Sequence, residues 1–146
     1  MFKIVPLQEQ HIDDVYTIEL ESFTIPWSRK SLEKDALENK MSIYLVALEG
    51  EKVVGYAGMW HVVTEGHITN IAVDVNYRKK GIGDMLLTEL VKIAINKEMI
   101  GITLEVRISN IAAQKLYFKH QFKVEGFRKN YYSDTKEDAI IMWKYL

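Results

Sequence analysis

The spacing of hydrophobic and polar positions predicts one strand and two helices in the N-terminal part of this chain. Residues 2–7 alternate loosely between apolar and polar side chains, which favours a strand. Residues 9–23 place their apolar side chains near helical spacing, and Pro26 stops this helix. Ser28 is suited to cap a second helix, which the apolar positions carry as far as Leu37.

Three strand-like runs follow, and they predict an antiparallel meander. Residues 43–48, 53–63 and 67–75 have the composition and length of strands. The turn sequences Glu49-Gly50-Glu51 and Glu65-Gly66 separate them. Because such short turns reverse the chain, consecutive strands are expected to pair in opposite directions.

The pattern then changes and predicts a strand–helix–strand unit. Residues 81–97 carry their leucines, isoleucines and valine on one broad face, which is typical of an amphipathic helix. Residues 102–108 form a β-branched strand. A helix that connects two strands of one sheet makes those strands parallel, so 67–75 and 102–108 are expected to run in the same direction.

A further helix and a hairpin complete the predicted order. Ser109-Asn110 is a capping sequence for a helix that runs through Tyr117. Residues 122–132 and 139–145 predict a final hairpin that turns around Ser133-Asp134. The order is therefore β-α-α-β-β-β-α-β-α-β-β. It indicates a single α/β domain with a mixed sheet and helices on both of its faces.

Composition narrows the class of protein and removes several kinds of chemistry. The chain has 146 residues, of which 48% are hydrophobic and 27% are charged, as in soluble globular proteins. Its net charge of −1 points to neither a nucleic-acid nor a membrane partner. It has no cysteine and no histidine pair at metal-ligand spacing, so we expect no disulfide, no cysteine nucleophile and no metal. The N-terminal residues lack the apolar stretch of a signal peptide, which predicts a cytoplasmic protein.

The sharpest local signal for a ligand is residues 78–83, Arg-Lys-Lys-Gly-Ile-Gly, between a predicted strand and a predicted helix. Gly81 and Gly83 have no Cβ, so the backbone can approach a ligand closely there. The backbone N–H groups and the helix N-terminus form a positive concavity that suits phosphate. A flexible turn with solvated lysines fits the same residues, because a lone Gly-x-Gly is a weak signal.

Two well-known phosphate-binding motifs do not fit this loop. A P-loop requires Gly-Lys followed by Ser or Thr, whereas Gly83 is followed by Asp84. The dinucleotide-binding fingerprint requires a third glycine at the position of Leu86. Three predicted antiparallel strands also precede the loop, which the dinucleotide-binding fold does not have.

Glu105 and Tyr117 are candidates for chemistry, but each also has an ordinary structural explanation. On the strand 102–108, Glu105 and Arg107 are expected on the opposite side from the apolar positions. Taken alone, they fit a solvated Glu–Arg face. Tyr117 lies on an apolar helix and, taken alone, fits a core aromatic side chain.

Together these motifs resemble the GNAT superfamily of N-acetyltransferases, whose element order matches along essentially the whole chain. The motifs are Ile71-Ala72-Val73-Asp74, Arg78-x-x-Gly81-x-Gly83, Leu104-Glu105-Val106-Arg107-x-Ser109-Asn110 and Leu116-Tyr117. Within the superfamily the chain resembles the bacterial ribosomal-protein-alanine N-acetyltransferases. That narrower resemblance lies in Pro26-Trp27-Ser28, in residues 104–107 and in the tail segments 128–132 and 137–142.

The resemblance implies a role for each motif. It implies that acetyl-CoA is the co-substrate, that Glu105 is the general base and that Tyr117 is the general acid. Strand residues from Ile71 to Val73 would hydrogen-bond the pantetheine arm, and Asn110 would bind the same arm. The loop from Lys79 to Asp84 would hold the pyrophosphate. The complete set of cofactor-binding residues implied in this way is Ile71, Ala72, Val73, Lys79, Lys80, Gly81, Ile82, Gly83, Asp84 and Asn110.

Three positions depart from the superfamily pattern. Val75 replaces a common proline, and Gln121 replaces a common glycine. Asp84 replaces a basic or small residue, and its carboxylate would weaken pyrophosphate binding slightly unless it points away. None of the three is the implied acid or base.

The implied reaction is acetyl transfer to the N-terminal α-amine of a protein, with alanine first and a small-subunit ribosomal protein as the acceptor. Two alternatives stay open. One is acetylation of a small amine, such as a polyamine or an antibiotic, for which the same core would serve. The other is a non-catalytic acyl-CoA-binding module, which the presence of both Glu105 and Tyr117 disfavours.

Overall fold

The computed structural model describes residues 1–146, and all seven strands join one sheet in the order β1-β2-β3-β4-β5-β7-β6. The strands are β1 (Phe2–Pro6), β2 (Ser42–Glu49), β3 (Lys52–Val62), β4 (Glu65–Val73), β5 (Gly101–Arg107), β6 (Lys123–Arg128) and β7 (Ala139–Tyr145). The helices are α1 (Ile12–Ser22), α2 (Arg29–Glu33), α3 (Ile82–Asn96) and α4 (Ile111–Lys119). This is the predicted order, and the predicted mixed α/β class is confirmed. No helix has the length and apolar character needed to cross a membrane.

Helices pack on both faces of the sheet, as the apolar spacing predicts. Helix α3 buries its apolar side chains, among them Leu86 and Leu90, in the larger of two hydrophobic clusters. Helix α1 buries Val15 and Ile18 in the smaller cluster, where α2 contributes Leu32. The sheet is therefore the central layer, and its two faces carry different helices.

Strands β4 and β5 are parallel, as expected for a strand–helix–strand unit, but they pair over only three residues each. The pairs run from Glu65 with Gly101 to His67 with Thr103. Beyond these pairs the strands separate, while every other neighbouring pair in the sheet is antiparallel. The edge of β4 that faces β5 is consequently unpaired beyond His67, and a gap opens toward the carboxyl ends of both strands.

A β-bulge in β4 changes which side chains face α1. Gly58 of β3 pairs with Asn70 and the next residue, Met59, pairs with Ile68, so Thr69 is the extra residue. Ile68 packs in the cluster under α3, whereas Ala72 packs in the cluster under α1. The bulge therefore turns Asn70, two residues before Ala72, toward α1.

The final hairpin is shorter than predicted. Strand β6 ends at Arg128 rather than at residue 132, and residues 129–138 form a loop. Asn130 and Lys136 have positive φ angles of 52° and 62°, which a continuous strand does not allow. The sequence prediction for this segment is wrong because side-chain contacts to β5, described below, hold the loop.

Two other boundaries also differ from the prediction. Ser28 caps α2 as expected, accepting a hydrogen bond from the backbone N–H of Ser31 at 3.1 Å. The α-helix ends at Glu33, however, and residues 34–38 form a π-helical turn. Strand β4 ends at Val73 instead of residue 75, because the chain enters a 3₁₀ turn at Val75–Tyr77.

Candidate active site

The gap between β4 and β5 widens into a cleft of about 900 Å³. Its walls come from α1 and the loop after it, from the diverging parts of β4 and β5, from the start of α4, and from the loop between β6 and β7. Four of the residues singled out in the sequence line this one cleft: Ile71, Glu105, Asn110 and Tyr117. These four side chains can line one cleft because the two parallel strands separate beyond His67.

Glu105 projects from β5 into the cleft on the face opposite Leu104 and Val106, which are buried in the core. Its Oε2 atom lies 2.8 Å from Nε of Arg128 on β6. Both side chains are partly open to solvent, with 32% of Glu105 and 55% of Arg128 exposed. The expected alternation on this strand is confirmed, and the carboxylate is accessible to a ligand in the cleft.

Tyr117 reaches the opposite side of the cleft from α4. Its ring is buried against Phe122, with the ring centroids 5.6 Å apart. Burial raises the pKa of the Tyr117 hydroxyl above its ordinary value. The side chain therefore keeps its proton at neutral pH and presents a hydrogen-bond donor to the cleft.

The glycine loop lies at the N-terminus of α3, outside the lining of this cleft. Gly81 has a φ of 82°, the left-handed conformation that favours glycine, and a Cβ there would meet no atom within 4 Å. Gly83 has no such φ, but a Cβ would lie 3.3 Å from Cδ2 of Leu116. The N–H groups in the first turn of α3 have no partner within the helix. With Arg78, Lys79 and Lys80 before them, they form a positively charged concavity.

Asp84, in the first turn of α3, points toward the end of α4. Its two carboxylate oxygens lie 2.9 Å from Nζ of Lys119 and 2.8 Å from Nε2 of His120. Hydrogen bonds from these two partners hold the pKa of Asp84 below its ordinary value. The negative charge of Asp84 is thus matched by Lys119 at the end of α4, and His120, the residue after the helix, is a second hydrogen-bond partner.

Asn110 and Val73 already make polar contacts within the protein. Asn110 caps α4, where its Oδ1 accepts a hydrogen bond from the backbone N–H of Ala113 at 3.1 Å. Its amide NH₂ group remains able to donate. The carbonyl oxygen of Val73 accepts a hydrogen bond from Nε of Arg78 at 3.2 Å, while Ala72 is buried in the core beneath α1.

Glu19 is a site residue that sequence reasoning missed. It is 1% exposed on α1, yet it lines the cleft. Its carboxylate accepts hydrogen bonds from the backbone N–H of Trp27 at 2.9 Å, from the amide of Asn70 at 3.2 Å and from the hydroxyl of Tyr56. This carboxylate therefore ties the loop after α1 to β3 and β4. The sequence held one indication that Glu19 is buried, because helical spacing places it on the same face of α1 as Val15.

Arg107 is a second residue whose role the sequence did not show. Its guanidinium makes two hydrogen bonds of 2.9 Å to Asp134 and one of 3.3 Å to Glu137, both in the loop between β6 and β7. Thr24, in the loop after α1, donates a hydrogen bond of 2.5 Å to Asp134. Arg107 thus joins two loops across the cleft, and its guanidinium holds the pKa of Asp134 well below the usual range.

Two tyrosines of the same loop also line the cleft. Burial raises the pKa of Tyr132 to about 12, and the guanidinium of Arg107 lies 4.0 Å from its ring centroid. The Tyr131 ring packs edge-on against it, with the centroids 5.1 Å apart. Burial, together with the charge of Glu105, raises the pKa of Tyr131. These rings give the outer part of the cleft an aromatic wall.

The fold is a mixed sheet with helices on both faces, and its cleft between two diverging parallel strands is lined by a carboxylate, Glu105, and a buried tyrosine, Tyr117. Residues 12–122 match the acetyltransferase (GNAT) family, and the chain belongs to that family.

Two curated relatives and one solved structure are similar to this chain over nearly its whole length. The [ribosomal protein bS18]-alanine N-acetyltransferase of Escherichia coli (strain K12) is 34% identical over 144 residues, which cover 97% of this chain and 96% of that protein. A Bacillus subtilis (strain 168) protein, provisionally named for the same activity, is 43% identical over 134 residues, covering 92% and 89%. The crystal structure of the Escherichia coli ribosomal-protein-S18-alanine N-acetyltransferase superposes with a TM-score of 0.91 and 32% identity, covering 99% of this chain and 94% of that one.

Proposed function

We propose that this chain transfers the acetyl group of acetyl-CoA to the N-terminal α-amine of a ribosomal protein whose first residue is alanine, with bS18 as the acceptor. The observation that carries the proposal is the cleft between β4 and β5, which Glu105 and Tyr117 both line. The names of the relatives that match nearly the whole chain support the same acceptor.

The residues near α3 fit the co-substrate. The free N–H groups at the start of the helix, the left-handed Gly81 and three consecutive basic residues suit a pyrophosphate. The unpaired edge of β4 from Ile68 to Val73 offers backbone groups to an extended amide-containing arm such as pantetheine. Asp84 is compatible with this assignment because Lys119 already matches its charge and His120 lies within hydrogen-bond distance of it. Acetyl-CoA supplies the activated acyl group.

Glu105 removes the proton that blocks the acceptor amine. An N-terminal amine has a pKa of about 8, so a large share of it is protonated at neutral pH and cannot attack. Glu105 accepts the proton directly or through a water, and the free amine then forms a nitrogen–carbon bond with the acyl carbon. A backbone N–H near Val73 stabilises the oxyanion.

Tyr117 completes the transfer. When the carbon–sulfur bond breaks, the leaving group is a thiolate, and Tyr117 donates its hydroxyl proton to it. The nitrogen then gives its one excess proton to the Tyr117 phenolate, which leaves a neutral amide and restores the hydroxyl. Burial keeps that proton in place until it is needed, because it disfavours the phenolate. Neither a metal nor a covalent enzyme intermediate is needed in this sequence of steps.

The outer part of the cleft favours a peptide over a small amine. Two loops joined through Arg107 form its walls, and both contribute large side chains: Trp27 from one, Tyr131 and Tyr132 from the other. A groove of this kind can hold several residues of an extended chain, since aromatic side chains supply contact area at low entropic cost.

A panel of acceptors tests the proposal. The purified protein is given acetyl-CoA with peptides that differ only at the first residue, together with spermidine and free lysine, and CoA release is measured. The peptide that begins with alanine is expected to give the highest kcat/KM. Equal or faster turnover of spermidine or lysine would assign the protein to small-amine acetylation, and absence of CoA release with every amine would indicate a binding module.

A further inference from the structure

Three buried side-chain polar atoms have no hydrogen-bond partner within the protein, and all three belong to residues that line the cleft. They are Ser22 Oγ, Thr69 Oγ1 and Asn70 Oδ1. Buried polar atoms in native proteins nearly always have a partner, and leaving one unpaired is costly. Their shared position indicates that a molecule bound in the cleft supplies the partners.

Asn70 is the most strongly oriented of the three residues. Its Nδ2 donates to Oε1 of Glu19 at 3.2 Å. Because a carboxylate only accepts hydrogen bonds, it fixes the amide with NH₂ toward Glu19 and the carbonyl oxygen directed away. The side chain is 7% exposed on the α1 face of β4, where the bulge at Thr69 places it. Oδ1 is therefore a preorganised acceptor beside the reacting strand.

The position of Asn70 assigns it to the acceptor side of the cleft. The same Glu19 carboxylate also accepts the backbone N–H of Trp27, in the loop that forms one wall of the groove. Ile71, implied to contact the pantetheine arm, is the next residue along β4. Asn70 thus lies between the groove for the acceptor and the strand edge for the co-substrate.

We propose that Asn70 Oδ1 accepts a hydrogen bond from the α-amine of the acceptor and so orients its lone pair toward the acyl carbon. This inference rests on the proposed function. After Glu105 has taken the proton of the ammonium group, a primary amine has two N–H groups, one of which loses its proton as the amide forms. The other needs an acceptor that does not remove the proton, and a neutral amide oxygen meets that need. Asn70 is a positioning residue, distinct from the base.

Asn70→Ala and Tyr56→Phe form a matched pair of variants. Each removes one donor from Glu19, but only Asn70→Ala also removes an acceptor from the cleft. For a peptide that begins with alanine, kcat/KM is expected to fall about 10- to 100-fold in Asn70→Ala, as for loss of one oriented hydrogen bond. Tyr56→Phe is expected to stay within about threefold of wild type. Calorimetry should show the same acetyl-CoA affinity in both, and Asn70→Ser repeats the test if the alanine variant does not fold.

A peptide that begins with N-methylalanine supplies the second readout. Once Glu105 has taken the ammonium proton, this secondary amine has a single N–H, which must be lost as the amide forms, so no N–H stays on the nitrogen to bond Asn70. The preference of the wild type for alanine over N-methylalanine should therefore shrink several-fold in Asn70→Ala and persist in Tyr56→Phe.

Equal losses in the two variants, with an unchanged preference, would overturn the inference and leave Asn70 as a structural donor to Glu19. If the wild type acetylates no peptide, the proposed function fails and the inference fails with it. If the wild type does acetylate the peptide, the comparison of the two variants decides the inference alone.

Discussion

Replacing Glu105 by glutamine separates a catalytic base from one half of a surface ion pair. Glutamine keeps the length and shape of the side chain and can still hydrogen-bond, but it cannot take a proton at neutral pH. If Glu105 accepts the proton of the acceptor amine, kcat is expected to fall by about 10²- to 10⁴-fold. Acetyl-CoA affinity should hardly change, because Glu105 lies in the cleft and not at the start of α3.

The competing explanation is that Glu105 serves only as the partner of Arg128 in a surface ion pair. The two side chains lie 2.8 Å apart, with 32% and 55% of them exposed. A pair this open to solvent contributes about 0–1 kcal/mol, which is at most about fivefold in a rate. The loss expected for a base is at least twentyfold larger, on the order of 10² or more, so its size alone distinguishes the two explanations.

Arg128→Gln is the matched control, since it breaks the same ion pair and leaves the carboxylate in place. Its kcat is expected to stay within about fivefold of wild type. Initial rates of CoA release, with saturating acetyl-CoA and an alanine peptide, give kcat for both variants between about pH 6 and pH 9.5. The deficit of Glu105→Gln should shrink above about pH 8, because the free amine then needs no base.

Two results would refute this reasoning. If Glu105→Gln keeps nearly wild-type kcat at neutral pH, Glu105 is a solvated strand residue. If Arg128→Gln loses as much activity as Glu105→Gln, the ion pair positions a wall of the cleft and the carboxylate itself is not the base.

The remaining predictions concern the acid, the glycine loop and the loop contact. Tyr117→Phe should lower kcat by less than Glu105→Gln and should not recover at high pH, because a thiolate of pKa about 8.5 can also leave unassisted; kcat against pH checks this. Gly83→Val should weaken acetyl-CoA binding in calorimetry, because a side chain pressed against Leu116, 3.3 Å from the Cβ position, shifts the first turn of α3, whose N–H groups are proposed to hold the phosphate; unchanged affinity in a folded variant would contradict it. Asp134→Asn should lower the melting temperature at pH 7, and this effect should shrink progressively as the pH falls below about 4, as melting curves over a pH series would show. The lowered pKa of Asp134 means that its contribution is complete above about pH 4 and is lost as the pH falls.

The order of elements was predictable because it depends on periodicity, which is local. Helical spacing in 9–23 and 81–97, and the strand-like runs between them, determine which segments cover the sheet. The connection through α3 then required β4 and β5 to be parallel. These predictions use only neighbouring residues and the handedness of connections, and the structure bears them out.

The bulge and the loop after β6 were not predictable, because distant residues produce them. Ile68-Thr69-Asn70 would read as ordinary alternation, yet the extra residue at Thr69 separates the faces of its two neighbours. Residues 129–132 have strand-forming side chains, but Arg107 on β5 holds the loop through Asp134 and Glu137. Tertiary contacts override local propensity at such places.

Glu105 and Tyr117 could be named from the resemblance, whereas Glu19 and Asn70 required coordinates. A glutamate in α1 and an asparagine in β4 look like solvated polar residues until burial and partners are known. Both are buried, and each satisfies part of the other's hydrogen-bonding capacity. The part that stays unsatisfied, Asn70 Oδ1, is the atom on which the proposed contact with the acceptor amine rests.

The charges around the cleft fit the two oppositely charged substrates of the proposed reaction, although the net charge of the chain is only −1. Basic residues 78–80 lie before α3, whereas the acceptor side carries carboxylates. Arg107 forms ion pairs with Asp134 and Glu137, and Arg128 forms one with Glu105, so the charges of these groups largely cancel. Glu19 instead accepts hydrogen bonds only from neutral donors. Because screening limits interactions between exposed charges to about 8 Å, local charge and not the total governs each substrate. The unmatched carboxylate on the acceptor side therefore favours an incoming ammonium group, while the basic loop favours phosphate.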